Sequence, residues 1–342
     1  MTSTPALPAA SVVICAYTDK RWDDIVAAVE SVTTQSVPAA ETFVIVDHNP
    51  ELLRRATEAL TPRGVQVLAN QYAQGLSGAR NTALDTVSGE VIAFLDDDAS
   101  ARPGWLAGLL AHYADPSVIA VGGAAHPAWP SRRPAVLPSA EPADRDAIGE
   151  LDWVVGCTYT GQPTQTAEVR NLMGCNMSFR REVFDRVGGF TEDVGRIGTV
   201  PLGCEETELC IRARQDYWRR GEDARILFEP AAAVDHRVSA DRLGWSYLRR
   251  RCWAEGLSKA AVSKLVGSDD ALSTERSYVA KVLPAAVGRE LKRSLRGRRD
   301  GLVGASAVVI ALAWTTAGYA RGRLPGATAD VRLPAAAAAP SP

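Results

Sequence analysis

Three consecutive aspartates, Asp96, Asp97 and Asp98, close the apolar run Val91-Ile92-Ala93-Phe94-Leu95. Carboxylates packed this closely repel one another, and without a counter-charge at least one is driven towards its protonated form. A hard divalent cation such as Mg²⁺ or Mn²⁺ would hold them ionised, and a diphosphate is the natural group for that cation to carry. An isolated acidic triplet can equally be a solvated turn, so the weight falls on its company. A second acidic group, Glu205-Glu206-Thr207-Glu208, opens a segment with helical spacing at Leu209, Arg212 and Ala213. Taken alone, acids in a first helical turn do no more than complement the helix dipole. His236 ends the run Ala233-Val234-Asp235. A single histidine is ordinarily structural, but beside an acidic cluster it becomes a candidate metal ligand.

The elements that must position these groups follow from hydrophobic spacing. Short β-branched and aromatic runs bounded by polar residues read as buried strands, here Ser11 to Tyr17, Phe43 to Asp47, Val65 to Leu68 and Val91 to Asp96. Ile25, Val26, Val29 and Val32 recur at helical spacing between the first two strands, and a second helix is expected from Glu51 to Leu60. Strand, helix, strand is the parallel βαβ pattern. Tyr17, Asp47 and the three aspartates then share the C-terminal ends of strands, where open parallel sheets bind ligands. A last pair of strands is expected at Ile226 to Phe228 and Ala233 to His236.

At 342 residues, 46% of them hydrophobic, the chain can bury one large core or two modest ones. Its formal net charge of −2 argues against general nucleic-acid binding. The six cysteines contain no C-x-x-C pair, and no charged and apolar leader is evident at the start, which together point to a reducing cytosol and away from zinc. Pro127, Pro130, Pro134, Pro138 and Pro142 make 126–150 a loop, either a spacer, a lid over the site or an acceptor-binding insertion. After Asp241 the chain reads as helix, with Trp245, Leu248 and Cys252 among many basic residues. Such a helix lies at an anionic membrane surface or packs a core with a solvated arginine face. Six basic residues between Arg289 and Arg299 precede the uncharged run Gly301 to Ala320. That run is long enough to cross a bilayer of about 30 Å, to lie in its interface, or to be a buried soluble helix.

In order along the chain, Val13-Ile14-Cys15-Ala16-Tyr17, Ile45-Val46-Asp47, Gly78-Ala79-Arg80-Asn81, Phe94-Leu95-Asp96-Asp97-Asp98, Gly174 to Arg181, Gly188-Gly189-Phe190 and Glu205-Glu206-Thr207-Glu208-Leu209 resemble the family 2 glycosyltransferases. The resemblance covers 11–237 and implies a GT-A fold: a Rossmann-like, mostly parallel sheet with flanking helices, here followed by a C-terminal helical, membrane-associated region. It implies a nucleotide-sugar donor, a divalent metal (Mg²⁺ or Mn²⁺) and transfer with inversion. On its pattern Asp47 and Arg80 grip the nucleotide base, Tyr17 lies in the first donor loop, and Asp96 and Asp97 meet ribose and phosphate. Asp98 matches the metal ligand, and His236 a histidine near the metal and diphosphate. Glu206 stands where the family usually has an aspartate base, one methylene shorter, with Glu205 as the substitute. The family's usual Asp-Gly-Ser after the second strand is here His48-Asn49-Pro50.

The implied organisation is a disordered 1–10, a GT-A catalytic domain over 11–240 containing the loop 126–150, a basic helical region over 241–324 with its apolar segment 301–320, and a disordered tail 325–342. The expected acceptor is a lipid-linked or cell-envelope glycan, with the protein on the cytoplasmic side of the plasma membrane, peripheral or held by one C-terminal helix. Competing readings are a sugar nucleotidyltransferase, a glycosidase, a processive synthase and a non-catalytic nucleotide-sugar-binding scaffold. The first lacks its basic Gly-rich loop at Ile14-Cys15-Ala16-Tyr17-Thr18, the second would not need a metal cluster, and Arg250-Arg251-Cys252-Trp253 only echoes the third's Gln-x-x-Arg-Trp.

Overall fold

A computed structural model describes residues 7–144, 146–192, 195 and 202–324. The tail 325–342 and residues 1–6, both expected to be disordered, lie outside the described residues. The chain forms two compact units, one of Met1–Ala125, Pro163–Gly198 and Glu205–His236, the other of His126–Gln162, Thr199–Cys204 and Arg237–Pro342.

Among the described residues nine strands make one sheet: β1 Ala10–Ala16, β2 Glu41–Val46, β3 Gln66–Ala69, β4 Val91–Asp96, β5 Ala99–Ala101, β6 Val118–Ala128, β7 Ala167–Glu168, β8 Asn176–Arg180 and β9 Arg225–Arg237. Their order is β3-β2-β1-β4-β8-β6-β9-β5, with β7 beside β9. The first four in that order pair in parallel, which is the expected βαβ half. Beyond β4 the pairing turns antiparallel, as β4 with β8, β8 with β6, and β5 with β9. The sheet is therefore mixed, and the hydrophobic runs of its parallel half are continuous because helices cover both faces.

One face packs on α1 Trp22–Thr33, α2 Pro50–Leu60 and α4 Trp105–Ala111 through Ile25, Val29, Leu52 and Leu106. The other packs on α3 Leu76–Leu84, α5 Arg181–Val187 and α6 Glu205–Arg219 through Ala79, Val183, Phe184 and Leu209. The two runs expected as a final strand pair form one strand, β9. Pro230 offers no N–H to the ladder there, and the Glu229 carboxylate accepts from Ala231 N at 3.0 Å instead. Gly123 in β6 is required by closeness, since a Cβ would stand 1.6 Å from the Ala232 carbonyl oxygen.

The second unit is mainly helical, with α7 Trp245–Val266, the short α8 Ser268–Ala271 and α9 Ser273–Ser277, α10 Leu283–Leu295 and α11 Asp300–Arg323. Its core joins Trp129, Leu137 and Val154 to Leu248, Cys252, Leu283 and Val308. The apolar run 301–320 lies within α11. Close approach of α7 and α11 depends on glycine, because a Cβ on Gly256 would meet Thr315 O at 2.1 Å and one on Gly318 would meet Trp253 O at 2.2 Å. The opposite face of α11 leaves Leu302 and Val309 exposed.

Candidate active site

All the expected site residues lie in the first unit, around the C-terminal ends of β1, β2 and β4 and the start of α6. Asp97 and Asp98 form the turn between β4 and β5. Antiparallel pairing of β5 with β9 sets Ala99 opposite His236, so the histidine is delivered beside the turn by register. Its Nε2 stands 3.2 Å from Asp98 Oδ1. Asp96, Asp98 and His236 each offer one ligand atom, and these atoms lie within 4.8 Å of one another.

Asp97 faces elsewhere. Arg21, just after β1, donates to Asp97 Oδ1 at 2.7 Å and approaches Asp98 Oδ2 at 3.0 Å, with its guanidinium over the Tyr17 ring at 5.5 Å. One cation does not neutralise the cluster: burial and the Asp98 carboxylate push Asp97 up to about 7 despite Arg21. Asp97 Oδ2 is buried with no hydrogen-bond partner among the described residues. Carboxylate oxygens with one imidazole, beside an orphaned anionic oxygen, are a donor set that fits a hard divalent ion such as Mg²⁺ or Mn²⁺.

The second acidic group opens α6. Arg80, 1% exposed on α3, donates to Glu205 Oε1 at 2.7 Å and to the Gly174 carbonyl at 2.8 Å, and lies 3.5 Å from Asp96 Oδ1. Phe190 and Phe94 flank its guanidinium at 5.1 and 5.7 Å. Glu205 is thus committed to an arginine. Glu206 is not: it accepts from the Thr207 hydroxyl at 3.0 Å. Burial, and then the adjacent Glu205 carboxylate, push Glu206 up to about 8.

Asp47 is held from three sides, accepting from Asn70 Nδ2 at 2.7 Å and Gly75 N at 3.0 Å, with His48 Nδ1 at 2.9 Å. It fixes the loop that leads into α3. The His48-Asn49-Pro50 departure also has a structural use. Asn49 caps α2 by accepting from Leu52 N at 3.0 Å and donates to the Tyr17 carbonyl at 3.1 Å, while His48 takes a left-handed φ of 47°. The Gly188-Gly189-Phe190 turn is pinned by Asn81, which accepts from Phe190 N at 2.8 Å and donates to its carbonyl at 2.9 Å.

Sequence reasoning missed Arg21 and Asn176. The signal for Arg21 was the unbalanced charge itself, since three adjacent acids ask for a nearby cation and Asp19-Lys20-Arg21 follows the first strand. Asn176, fully buried on β8, donates to the carbonyls of Ala124 and Ala232 at 2.9 and 2.8 Å and accepts from Trp105 Nε1 at 2.8 Å. It ties β6 and β9 together behind the histidine, and nothing in the local sequence announces that role.

The sequence pattern described as "Glycosyl transferase family 2" matches residues 11–188. A glucosyl-dolichyl phosphate glucuronosyltransferase of Haloferax volcanii is 34% identical over 264 residues, which are 76% of this chain and 80% of that one. A pre-mycofactocin glycosyltransferase of Mycobacterium tuberculosis is 32% identical over 177 residues, 51% of this chain and 33% of that protein. Among solved structures, the mannosyltransferase PcManGT from Pyrobaculum calidifontis, in complex with GDP-Man and Mn²⁺, superposes with a TM-score of 0.55 at 18% identity, covering 92% of this chain and 88% of that one.

Proposed function

Because this chain belongs to the family 2 glycosyltransferases and has their GT-A fold, we propose that it is an inverting, metal-assisted enzyme that moves a sugar from a nucleotide-sugar donor to a hydroxyl of a lipid-linked or cell-envelope glycan acceptor. The observation that carries this reading is the meeting of Asp96, Asp98 and His236 within 4.8 Å, in the same unit as a glutamate pair whose two members have different electrostatic tasks. A divalent ion held there supplies the positive charge on which a departing diphosphate depends. Asp98 and His236 are assigned as its ligands, with Asp96 shared between the ion and the donor.

The chain's own groups do the rest. Arg80 holds Glu205 and so spends that carboxylate as a counter-ion. Glu206 is left to take the proton of the acceptor hydroxyl as the acceptor oxygen bonds to the sugar carbon and the bond to diphosphate breaks. A base with a pKa near the working pH is best matched to that task. Tyr17, Asp47 and Asp97 are assigned to the donor side. Asp47 acts there by shaping the loop from Asn70 to Gly75 as much as by direct contact.

The acceptor class is proposed from the Haloferax volcanii relative, named for a dolichyl phosphate substrate, together with the C-terminal helices. Among the described residues α11 is the helix long and apolar enough to cross a membrane. Since one face of α11 is stitched to α7 through Gly256 and Gly318, we favour an interfacial lie on the cytoplasmic side over a free span. Arg251 in the Arg-Cys-Trp echo of processive synthases is occupied by Glu255 at 2.8 Å, which supports single-sugar transfer.

The test is incubation with a panel of nucleotide sugars, with and without Mn²⁺ and a membrane lipid extract. Metal-dependent release of nucleoside diphosphate that also requires the lipid extract is the expected result, and proton NMR of the product reads the anomeric configuration. Donor binding without turnover on any acceptor would instead identify a nucleotide-sugar-binding scaffold.

A further inference from the structure

The helical second unit contains a charged cavity to which sugar transfer assigns no task. Residues 132–142 and the junction of α10 with α11 enclose about 410 Å³, lined by Arg132, Arg133, Arg293, Arg298 and Arg299. That size is ordinary for a small-ligand site. Two acids also line it, and both are spoken for. Glu290 is met by Arg289 at 2.9 Å and Arg293 at 3.3 Å, and Asp300 by Arg293 and Arg298, each at 3.2 Å. Arg133 gives its two terminal nitrogens to Asp152, while its buried Nε has no hydrogen-bond partner among the described residues. Arg132 and Arg299 are exposed and make no ion pair among the described residues. Positive charge is therefore left over, in the planar, multi-donor form that suits a phosphate group.

The cavity's surroundings say which kind of phosphate. Two residues beyond Asp300, Leu302 is 56% exposed, and Val309, seven residues further along the same face of α11, is exposed to the same extent. Leu295, three residues before Arg298, is 88% exposed. A ligand that satisfies both features has an anionic head and an apolar tail. We propose that this arginine cavity takes the phosphate headgroup of an anionic membrane lipid, with the lipid's hydrocarbon against the exposed face of α11. The proposal rests on the interfacial reading of α11 and adds a defined headgroup site to it.

Flotation of the full-length protein with vesicles tests it, using phosphatidylcholine alone and phosphatidylcholine doped with phosphatidylglycerol. The wild type should float with the doped vesicles and far less with the neutral ones. Near an anionic surface each arginine is worth about fivefold in affinity, so the Arg132→Gln/Arg299→Gln double variant should lose about twenty-fivefold on doped vesicles with an unchanged melting temperature. Arg54→Gln/Arg63→Gln, which removes the same charge from exposed positions of the first unit, should lose little. An equal loss in both double variants would reduce the effect to net charge and overturn the site. Retained binding by the Arg132/Arg299 variant would also overturn it. In that case, loss of binding by Leu302→Ser/Val309→Ser would show that the interfacial reading survives alone, and a wild type that floats with neither vesicle would end both. Inorganic phosphate is the remaining arm: if it raises the melting temperature of the wild type but not of Arg132→Gln/Arg299→Gln, while leaving flotation untouched, the cavity serves a soluble anion and not a lipid.

Discussion

Glu206 at the head of α6 and Glu255 in the middle of α7 are both crowded by protein, yet their carboxyls are pushed in opposite directions, one up to about 8 and the other down to about 2. Burial acts against the charged form in both. Around Glu255 it is outweighed by Lys259 at 3.1 Å and Arg251 at 2.8 Å, which leave the carboxylate fully neutralised. The charged group that acts most strongly on Glu206 is another carboxylate, Glu205, and Arg80 is paired with that one. Around Glu255 the helical unit closes its charges upon themselves, whereas the sheet unit keeps an excess of acid at Asp97 and Glu206 that Arg21 and Arg80 do not balance. That asymmetry is why the proposed sugar transfer is placed on the sheet unit.

The sharpest way to break the comparison is at the aspartate turn. Asp98→Ala should abolish Mn²⁺ binding, measured by calorimetry, and lower transfer on the order of a thousandfold or more, the scale on which a Lewis acid worth several kcal/mol operates. Unchanged Mn²⁺ affinity would place the ion elsewhere. Next, Glu206→Gln should cost about 10²–10⁴-fold in kcat while nucleotide-sugar affinity stays as in the wild type. Because the base acts as carboxylate and its pKa is raised, kcat of the wild type should climb with pH until about 8 and then level. A rate that is flat from pH 5 to 9 would remove Glu206 from the proton path.

On the structural side, Glu255→Ala takes the carboxylate from Arg251, leaves Lys259 with Glu275 at 2.6 Å, and should cost about 3–5 kcal/mol, read from denaturant melts. The pH sign is opposite to that of Glu206. A carboxyl depressed in the folded state stabilises above its unfolded pKa, so the Glu255 contribution should be complete above the ordinary glutamate range and fade as pH falls towards about 2. Smallest, Gly318→Ala places a methyl 2.2 Å from the Trp253 carbonyl and should cost about 1–3 kcal/mol without touching the kinetics of transfer in the native temperature range.

What the sequence disclosed was what local pattern can hold. Val91 to Asp98 displayed both a buried strand and the acids at its end, and the alternation up to β4 displayed the parallel half of the sheet. Glu206 was singled out by the family resemblance, since acids at a helix start on their own only complement the dipole. The antiparallel half was not legible, since pairing Ala99 with His236 joins residues far apart in the chain, and no periodicity encodes such a register. Asn176 was hidden for the same reason, its three partners coming from three separate segments. Arg21 could have been found by asking where the counter-charge lay. Gly318-Tyr319-Ala320-Arg321-Gly322 carries a small-residue spacing suited to close helix packing, within a run whose length alone would suggest a membrane segment.

The glycine seam between α7 and α11 has a cellular corollary on the interfacial reading. A greasy segment already zipped along one side to a neighbour cannot be handed to insertion machinery without unzipping. Residence on the bilayer would then be a reversible adsorption, undone by alkaline carbonate wash and tunable by how much acidic lipid the leaflet happens to hold.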